Sequence, residues 1–284
     1  MVKQRPTLAD APARKALGQH FLFDPDILRR TALSAGSVEG RTVIEVGPGP
    51  GGLTRALLEA GAAKVIAVEA DTRFAAALRA WPHTGDMTLY VHEADARKVD
   101  WEDLIAEAGG TLPAMIVANL PYNVGTPLLI NWLKAGSWRG DMALMFQKEV
   151  AERICATPGS KHYGRLAVLS QAVTKPHIAF SLPPGAFKPP PKVESAVAVL
   201  KPLPAAERFQ DLVTLERITA AAFGQRRKML RASLKSVARQ SGFDVIGWLE
   251  AAGIDPEARA ETIDQTGWRR LATEAAPAGD PTGS

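Results

Sequence analysis

The feature that most constrains this chain is an alternation. Short apolar runs rich in β-branched residues recur at Thr42–Val46, Lys64–Glu69, Thr88–His92, Ala114–Ala118 and Met142–Phe146. Stretches with helical character follow them, at Leu53–Ala60, Thr72–Trp81, Trp101–Ala108, Pro127–Leu133 and Lys148–Cys155. Strands that alternate with helices at this spacing predict an α/β fold built on a parallel, doubly wound sheet. A further helix is expected from Asp24, with that residue as N-cap and Pro25 in the first turn.

The pattern changes beyond residue 160. Leu166–Val173 reads as a helix, and His177–Phe180 and Val193–Leu200 read as two strands with no helix between them. Such a pair predicts an antiparallel edge to the sheet. From Pro204 onward only helices are expected, at Phe209–Phe223, Arg226–Arg239, Val245–Ala252 and Pro256–Ile263. The expected organisation is a flexible basic arm at 1–15, an α/β domain at 16–204, a small all-helical domain at 205–275 and a disordered tail at 276–284.

Composition excludes several classes. Apolar residues make up 46% and charged residues 23% of the 284 residues, as in globular proteins. The formal net charge of +4 permits a polyanionic partner without requiring one. The single cysteine, Cys155, excludes an intramolecular disulfide and a cysteine-rich zinc site. No histidine shows metal-ligand spacing, and no catalytic metal is expected. The charge-free run Thr111–Leu133 is long enough for a membrane span, but it carries Asn119, Asn123, Asn131 and three prolines. The chain is expected to be soluble and cytoplasmic, with no apolar leader among its first residues.

The first candidate site is the loop Gly47-Pro48-Gly49-Pro50-Gly51-Gly52, between the first strand of the alternation and its helix. Gly47, Gly49 and Gly52 satisfy the dinucleotide fingerprint G-x-G-x-x-G, while Gly47, Gly49 and Gly51 satisfy G-x-G-x-G, common in methyltransferases. Glu69 ends the second strand, where a carboxylate can accept from both hydroxyls of a ribose in either class of site. Two features favour S-adenosylmethionine (SAM). Pro48 and Pro50 remove N–H groups that a pyrophosphate would need. Asp95, after the third strand, is placed to accept from an adenine amino group. The competing reading makes Glu69 and Asp95 helix caps or solvated acids.

The second candidate site is Asn119-Leu120-Pro121-Tyr122, after the fourth strand. An adenine amino group is a poor nucleophile because its lone pair is delocalised into the ring. The Asn119 oxygen and a nearby backbone carbonyl can accept both of its hydrogens and aim the lone pair at a methyl group. Tyr122 offers a face on which an extruded base can stack. Phe187, in a proline-stiffened loop, is a second candidate ring, so that Phe187 and Tyr122 would sandwich one base. Alternatively Phe187 packs in the core.

Six motifs in order then carry a family resemblance over about residues 14–272. They are Leu17-Gly18-Gln19-His20-Phe21-Leu22, Glu45-Val46-Gly47-Pro48-Gly49, Asn119-Leu120-Pro121-Tyr122 and Gln147-Lys148-Glu149-Val150-Ala151, then the runs Phe187–Ser195 and Ala222–Lys228. With these the chain closely resembles the rRNA adenine N6-methyltransferase family, and within it the bacterial small-subunit dimethyltransferases. The resemblance implies a Rossmann-like SAM-dependent methyltransferase domain. It implies a SAM site of His20, Leu22, Gly47, Glu69, Asp95 and Asn119, although the family often has asparagine where this chain has His20. It implies two adjacent adenines near the 3′ end of small-subunit (16S) rRNA as substrate, presented on an immature small ribosomal subunit, with Asn119 and the backbone carbonyl of Leu120 or Pro121 holding the amino group. Six basic residues and no acid lie between Gln225 and Arg239, and Arg226, Arg227, Lys228 and Arg231 are candidate RNA contacts. A monomer is expected. Rival readings are a large-subunit rRNA methyltransferase, an RNA-binding assembly factor whose methylation is dispensable, and an NAD(P)-linked oxidoreductase.

Overall fold

The computed structural model describes residues 19–242 and 244–275. The expected N-terminal arm and C-terminal tail lie outside them. The first elements are β1 (Phe21–Leu22), α1 (Pro25–Ala32), β2 (Thr42–Val46), α2 (Gly52–Glu59), β3 (Lys64–Glu69), α3 (Thr72–Arg79) and α4 (Pro82–Gly85). Next come β4 (Leu89–Glu93), α5 (Trp101–Glu107), β5 (Ala114–Asn119), α6 (Gly125–Lys134), β6 (Arg139–Gln147), α7 (Lys148–Cys155), α8 (Arg165–Val173) and β7 (Thr174–Leu182). The chain continues through β8 (Phe187–Lys188), β9 (Ser195–Pro202), α9 (Leu212–Gly224), α10 (Leu230–Ser233), α11 (Lys235–Gln240), α12 (Val245–Ala251) and α13 (Gln265–Glu274).

Seven strands form one sheet in the order β4-β3-β2-β5-β6-β9-β7. The pairs from β4 to β6 are parallel, as the alternation predicted, and β9 runs antiparallel to β6 beside the edge strand β7. Every residue of β2 is buried, and so are five of the six in β5, because helices cover both faces of a doubly wound sheet. Val43, Val65, Met115, Val117 and Met145 share one core with Leu28, Leu53 and Leu57 from α1 and α2. The direction of winding reverses at β2, whose neighbours are β3 and β5. Carboxyl strand ends at such a reversal are where open α/β sheets place ligands. Asp24 caps α1 by accepting the N–H groups of Asp26 and Ile27. A separate ribbon pairs β1 with β8, Phe21 opposite Lys188 and Leu22 opposite Phe187, which the sequence pattern did not predict.

The chain divides into two compact units. One contains the residues through Ala151 together with His177–Pro202; the other contains Glu152–Pro176 and the residues from Leu203 on. The expected boundary near 204 therefore differs from the observed one: Glu152–Pro176 folds with the C-terminal helices. Long-range hydrogen bonds within that unit explain it, since Tyr163 donates its hydroxyl to the Ile263 carbonyl and Gln265 donates to that of Val168.

Three helix assignments also differ. The helix expected over Arg226–Arg239 is a turn followed by α10 and α11, because the Leu230 and Arg231 N–H groups donate to the Ala258 and Pro256 carbonyls. Pro256–Ile263 holds only a short 3-10 turn at Ala260–Thr262. Helix α13, unassigned from sequence, is capped by Asp264 and buries Trp268, Leu271 and Ala272. Among the described residues no helix is long and apolar enough to cross a membrane.

Candidate active site

A cavity of about 310 Å³ opens at the carboxyl ends of β2 to β5. His20, Leu22, Gly47, Glu69, Asp95 and Asn119 all line it, and so do Leu120, Pro121 and Tyr122. The loop before α1, the glycine-rich loop and three strand ends, far apart in sequence, thus meet at one place.

From Gly47 to Gly51 the glycine-rich loop has no free N–H. Gly47 donates to the Val68 carbonyl, Gly49 to Glu69 Oε2 at 3.0 Å and Gly51 to the Pro48 carbonyl. Pro48 and Pro50 have no N–H to give. Gly52, at the start of α2, keeps its N–H without a backbone acceptor, one donor where a pyrophosphate needs several, so the loop suits a ligand without phosphate better. Gly49 is required for close approach: its φ is +54°, and a Cβ there would sit 2.7 Å from the Phe21 ring.

Two acids project from the strand ends and a third lies beneath. Glu69 is buried, and its Oε1 accepts the Asp71 N–H while Oε2 accepts that of Gly49. Burial raises its pKa against those bonds. Each oxygen keeps a second lone pair, so Glu69 can still accept from two hydroxyls. Asp95 caps a 3-10 turn, and both its oxygens also receive the Arg97 guanidinium. Those bonds hold its carboxyl down to about 2. Asp95 is thus a cap, the competing reading from sequence, and it also lines the cavity.

Glu45 belongs to the cavity too, though the sequence reading gave it no role of its own. It is 1% exposed near the carboxyl end of β2 and accepts the Thr54 hydroxyl at 2.6 Å. Burial pushes its carboxyl up to about 8, opposed by Thr54 and reinforced by Glu69. The signal was available: it is the one charged residue in the apolar run Thr42–Val46.

Asn119 ends β5, and its Nδ2 donates to the His20 carbonyl at 3.0 Å. That bond orients the amide and leaves Oδ1 as its acceptor. The Pro121 carbonyl is taken by the Val124 and Gly125 N–H groups, whereas the Leu120 carbonyl takes no hydrogen bond from the described residues. Of the two carbonyls, that of Leu120 is the one still open to a donor. Tyr122 is tied through its hydroxyl to Ser195 Oγ at 2.7 Å, and burial raises its pKa.

The His20 ring packs against Tyr122, with centroids 5.4 Å apart and planes at 29°. Phe187 is 2% exposed in the core opposite Leu22, so its side chain does not reach the cavity. The expected Phe187–Tyr122 sandwich is therefore absent from this arrangement, because pairing of β8 with β1 turns the Phe187 ring into the apolar interior.

The basic segment lies in the second unit. Arg226 is committed there, donating to Glu261 at 2.7 Å and to the carbonyls of Tyr163 and Ser160. Arg231 pairs with Glu257 at 3.2 Å. Arg227, Lys228, Lys235 and Arg239 are exposed, and their side chains make no ion pair with the described residues.

Comparison with known proteins follows the same lines. A family described as ribosomal RNA adenine dimethylase matches residues 11–276. The chain is 52% identical over 264 residues to "Ribosomal RNA small subunit methyltransferase A" of Maricaulis maris, covering 93% of this chain and 90% of the relative. The protein of that name in Caulobacter vibrioides is 52% identical over 260 residues, covering 92% and 96%. Among solved structures, a dimethyladenosine transferase from Plasmodium falciparum is similar at a TM-score of 0.73 and 25% identity, covering 89% of this chain and 96% of that one. The 23S rRNA methyltransferase ErmE is similar at a TM-score of 0.63 and 25% identity, covering 89% and 98%.

Proposed function

The chain belongs to the ribosomal RNA adenine dimethylase family, and we propose that it dimethylates the N6 amino groups of two adjacent adenines near the 3′ end of small-subunit rRNA. We propose SAM as methyl donor, an immature small ribosomal subunit as substrate and the cytoplasm as its place of action. The observation that carries this reading is the acceptor pair of Asn119 Oδ1 and the Leu120 carbonyl, on the wall of the cavity that holds Glu69 and the proline-interrupted glycine loop.

When bound, SAM supplies a methyl group on a sulfonium. The chain supplies position. Glu69 accepts from the ribose hydroxyls, and Asp95 accepts from the donor's adenine amino group with a lone pair that Arg97 does not use. Gly47 and Leu22 shape the wall. Asn119 Oδ1 and the Leu120 carbonyl accept the two hydrogens of the target amino group. That draws the nitrogen toward a tetrahedral geometry with its lone pair free, so the acceptors act on the transition state more than on the ground state. Tyr122 gives the extruded base a stacking face. Arg227 and Lys228, with Lys235 and Arg239, are the proposed phosphate contacts, which steer the RNA without reading its sequence.

The reading is tested with SAM carrying a tritiated methyl group, offered to immature small subunits and separately to large subunits. Label recovered as dimethyladenosine from the small subunit alone is expected. Asn119→Ala is expected to bind SAM within about tenfold of wild type and to lose most turnover, as removal of a transition-state acceptor should. Label in the large subunit instead, or full turnover by Asn119→Ala, rejects the assignment.

A further inference from the structure

In the proposed reaction Tyr122 offers the face on which the target base stacks, and two contacts fix that ring. The His20 ring packs against it with centroids 5.4 Å apart, which limits rotation of the phenol about its own axis. The phenol oxygen lies on that axis, so a bond at the tip limits the other motion, the swing of the whole side chain. Ser195 supplies the bond, with its Oγ 2.7 Å from the Tyr122 oxygen. Its mount is firm. Ser195 opens β9 and pairs with Gln147, the last residue of β6. The residue before it is held by Lys148, whose N–H donates to the Glu194 carbonyl at 2.8 Å and whose Nζ pairs with the Glu194 carboxylate at 2.6 Å. Tyr122, in the loop after β5, thus reaches across the end of β6 to the start of the next strand in the sheet.

We propose that Ser195 is a positioning residue for methyl transfer: through Tyr122 it sets the angle at which the stacked adenine presents its amino group to Asn119 Oδ1 and the Leu120 carbonyl. The proposal rests on the methyl-transfer reading above and adds a residue to it. Ser195 is fully buried and does not line the cavity, so it acts through the ring and not on the base. Among the described residues Tyr122 is the hydrogen-bond partner of its Oγ. Stability alone does not call for this pair. A neutral hydrogen bond adds little net stability, and phenylalanine beside alanine would fill similar space with no polar group to satisfy. What two hydroxyls add is a direction. With the tip of the ring fixed, the base that stacks on it meets its acceptors in one orientation, and small misplacements of a reacting group cost rate steeply. Without the Ser195 hydroxyl, the Tyr122 hydroxyl must move to find another partner, and it takes the ring with it.

The experiment compares wild type, Ser195→Ala, Tyr122→Phe and the double variant. It measures SAM affinity by calorimetry, affinity for immature small subunits by filter binding, and the single-turnover rate of methyl transfer to those subunits. In Ser195→Ala the rate is expected to fall about tenfold, while both affinities stay within about twofold. Tyr122→Phe keeps the ring and loses the tether, so its rate should fall by a similar factor. The double variant should be no slower than the slower single one, because both substitutions remove the same bond. SAM binding by each variant shows that the cavity has folded. An unchanged rate in Ser195→Ala, with or without a lower melting temperature, overturns the proposal and leaves Ser195 the partner of a buried hydroxyl and nothing more. A loss of SAM affinity as large as the loss of rate also overturns it, since the cavity as a whole is then disturbed. Losses that multiply in the double variant overturn it by showing that the two hydroxyls act separately. Wild type that binds SAM but labels no small subunit overturns the methyl-transfer reading, and the role of Ser195 with it.

Discussion

Glu45 shows what one residue contributes when β2 carries it into the interior. Folded, it keeps its proton to about pH 8, against a value of 4.5 for an unperturbed glutamate, because burial disfavours the charge. Between those values the folded state binds more protons than the unfolded one. The stability linked to Glu45 is therefore complete below about 4.5 and is lost as pH rises toward 8. Burial raises Glu69 as well, which acts in the same direction. Glu45→Gln keeps an acceptor for the Thr54 hydroxyl and removes the titration. It should melt above wild type at pH 8, by an amount worth on the order of 3 kcal/mol, with the gain shrinking toward zero at pH 5. Thermal melts of both proteins across that range check this, and a difference that does not vary with pH would mean that Glu45 is already ionised in the fold.

At the scale of elements, the site is made by loops that leave strand ends, and the loop from β2 to α2 is the tightest of them. Gly49 has a φ of +54°, gives its N–H to Glu69 and lies under the Phe21 ring, which itself packs edge-on to Phe74. Gly49→Ala should cost about 1–3 kcal/mol of stability and weaken SAM binding by displacing β1 and the Glu69 carboxylate together. Gly185→Ala, where a Cβ meets nothing within 4 Å and φ is not positive, is the control. Calorimetry and melting of both variants decide it; undiminished SAM affinity in Gly49→Ala would remove the loop from the cofactor site. These strand-end loops were legible in the sequence because their causes are local: β-branched runs, glycines and prolines, Glu69 at the end of β3 and Asp95 just past β4. Helix α13 was legible too, from Asp264 and the spacing of Trp268, Leu271 and Ala272, but was not assigned. Other features were not legible, because distant partners decide them. Phe187 turns inward through pairing with Leu22, and the helix over Arg226–Arg239 breaks where Leu230 bonds to Ala258.

For the molecule as a whole, a net charge of +4 says little until cations with internal partners are separated from those without. Arg226 belongs to the first kind: its three hydrogen-bond partners, Glu261, Tyr163 and Ser160, all lie in its own unit. Its replacement by alanine should lower the melting temperature, since a guanidinium holding two carbonyls and a carboxylate is structural. Arg227 and Lys228 belong to the second kind, exposed and with no side-chain ion pair to the described residues. Phosphate contacts release counterions, so each one lost makes the dependence of log affinity on log salt shallower by about 0.7–0.9. The double variant Arg227→Ala, Lys228→Ala should therefore melt like wild type, bind SAM like wild type and show a salt slope for immature small subunits shallower by about 1.5. Filter binding over a series of salt concentrations measures the slope. An unchanged slope would move the phosphate contacts to other cations, with Lys235 and Arg239 next to be tested. A lower melting temperature in the double variant would show that these two side chains, like Arg226, serve the fold.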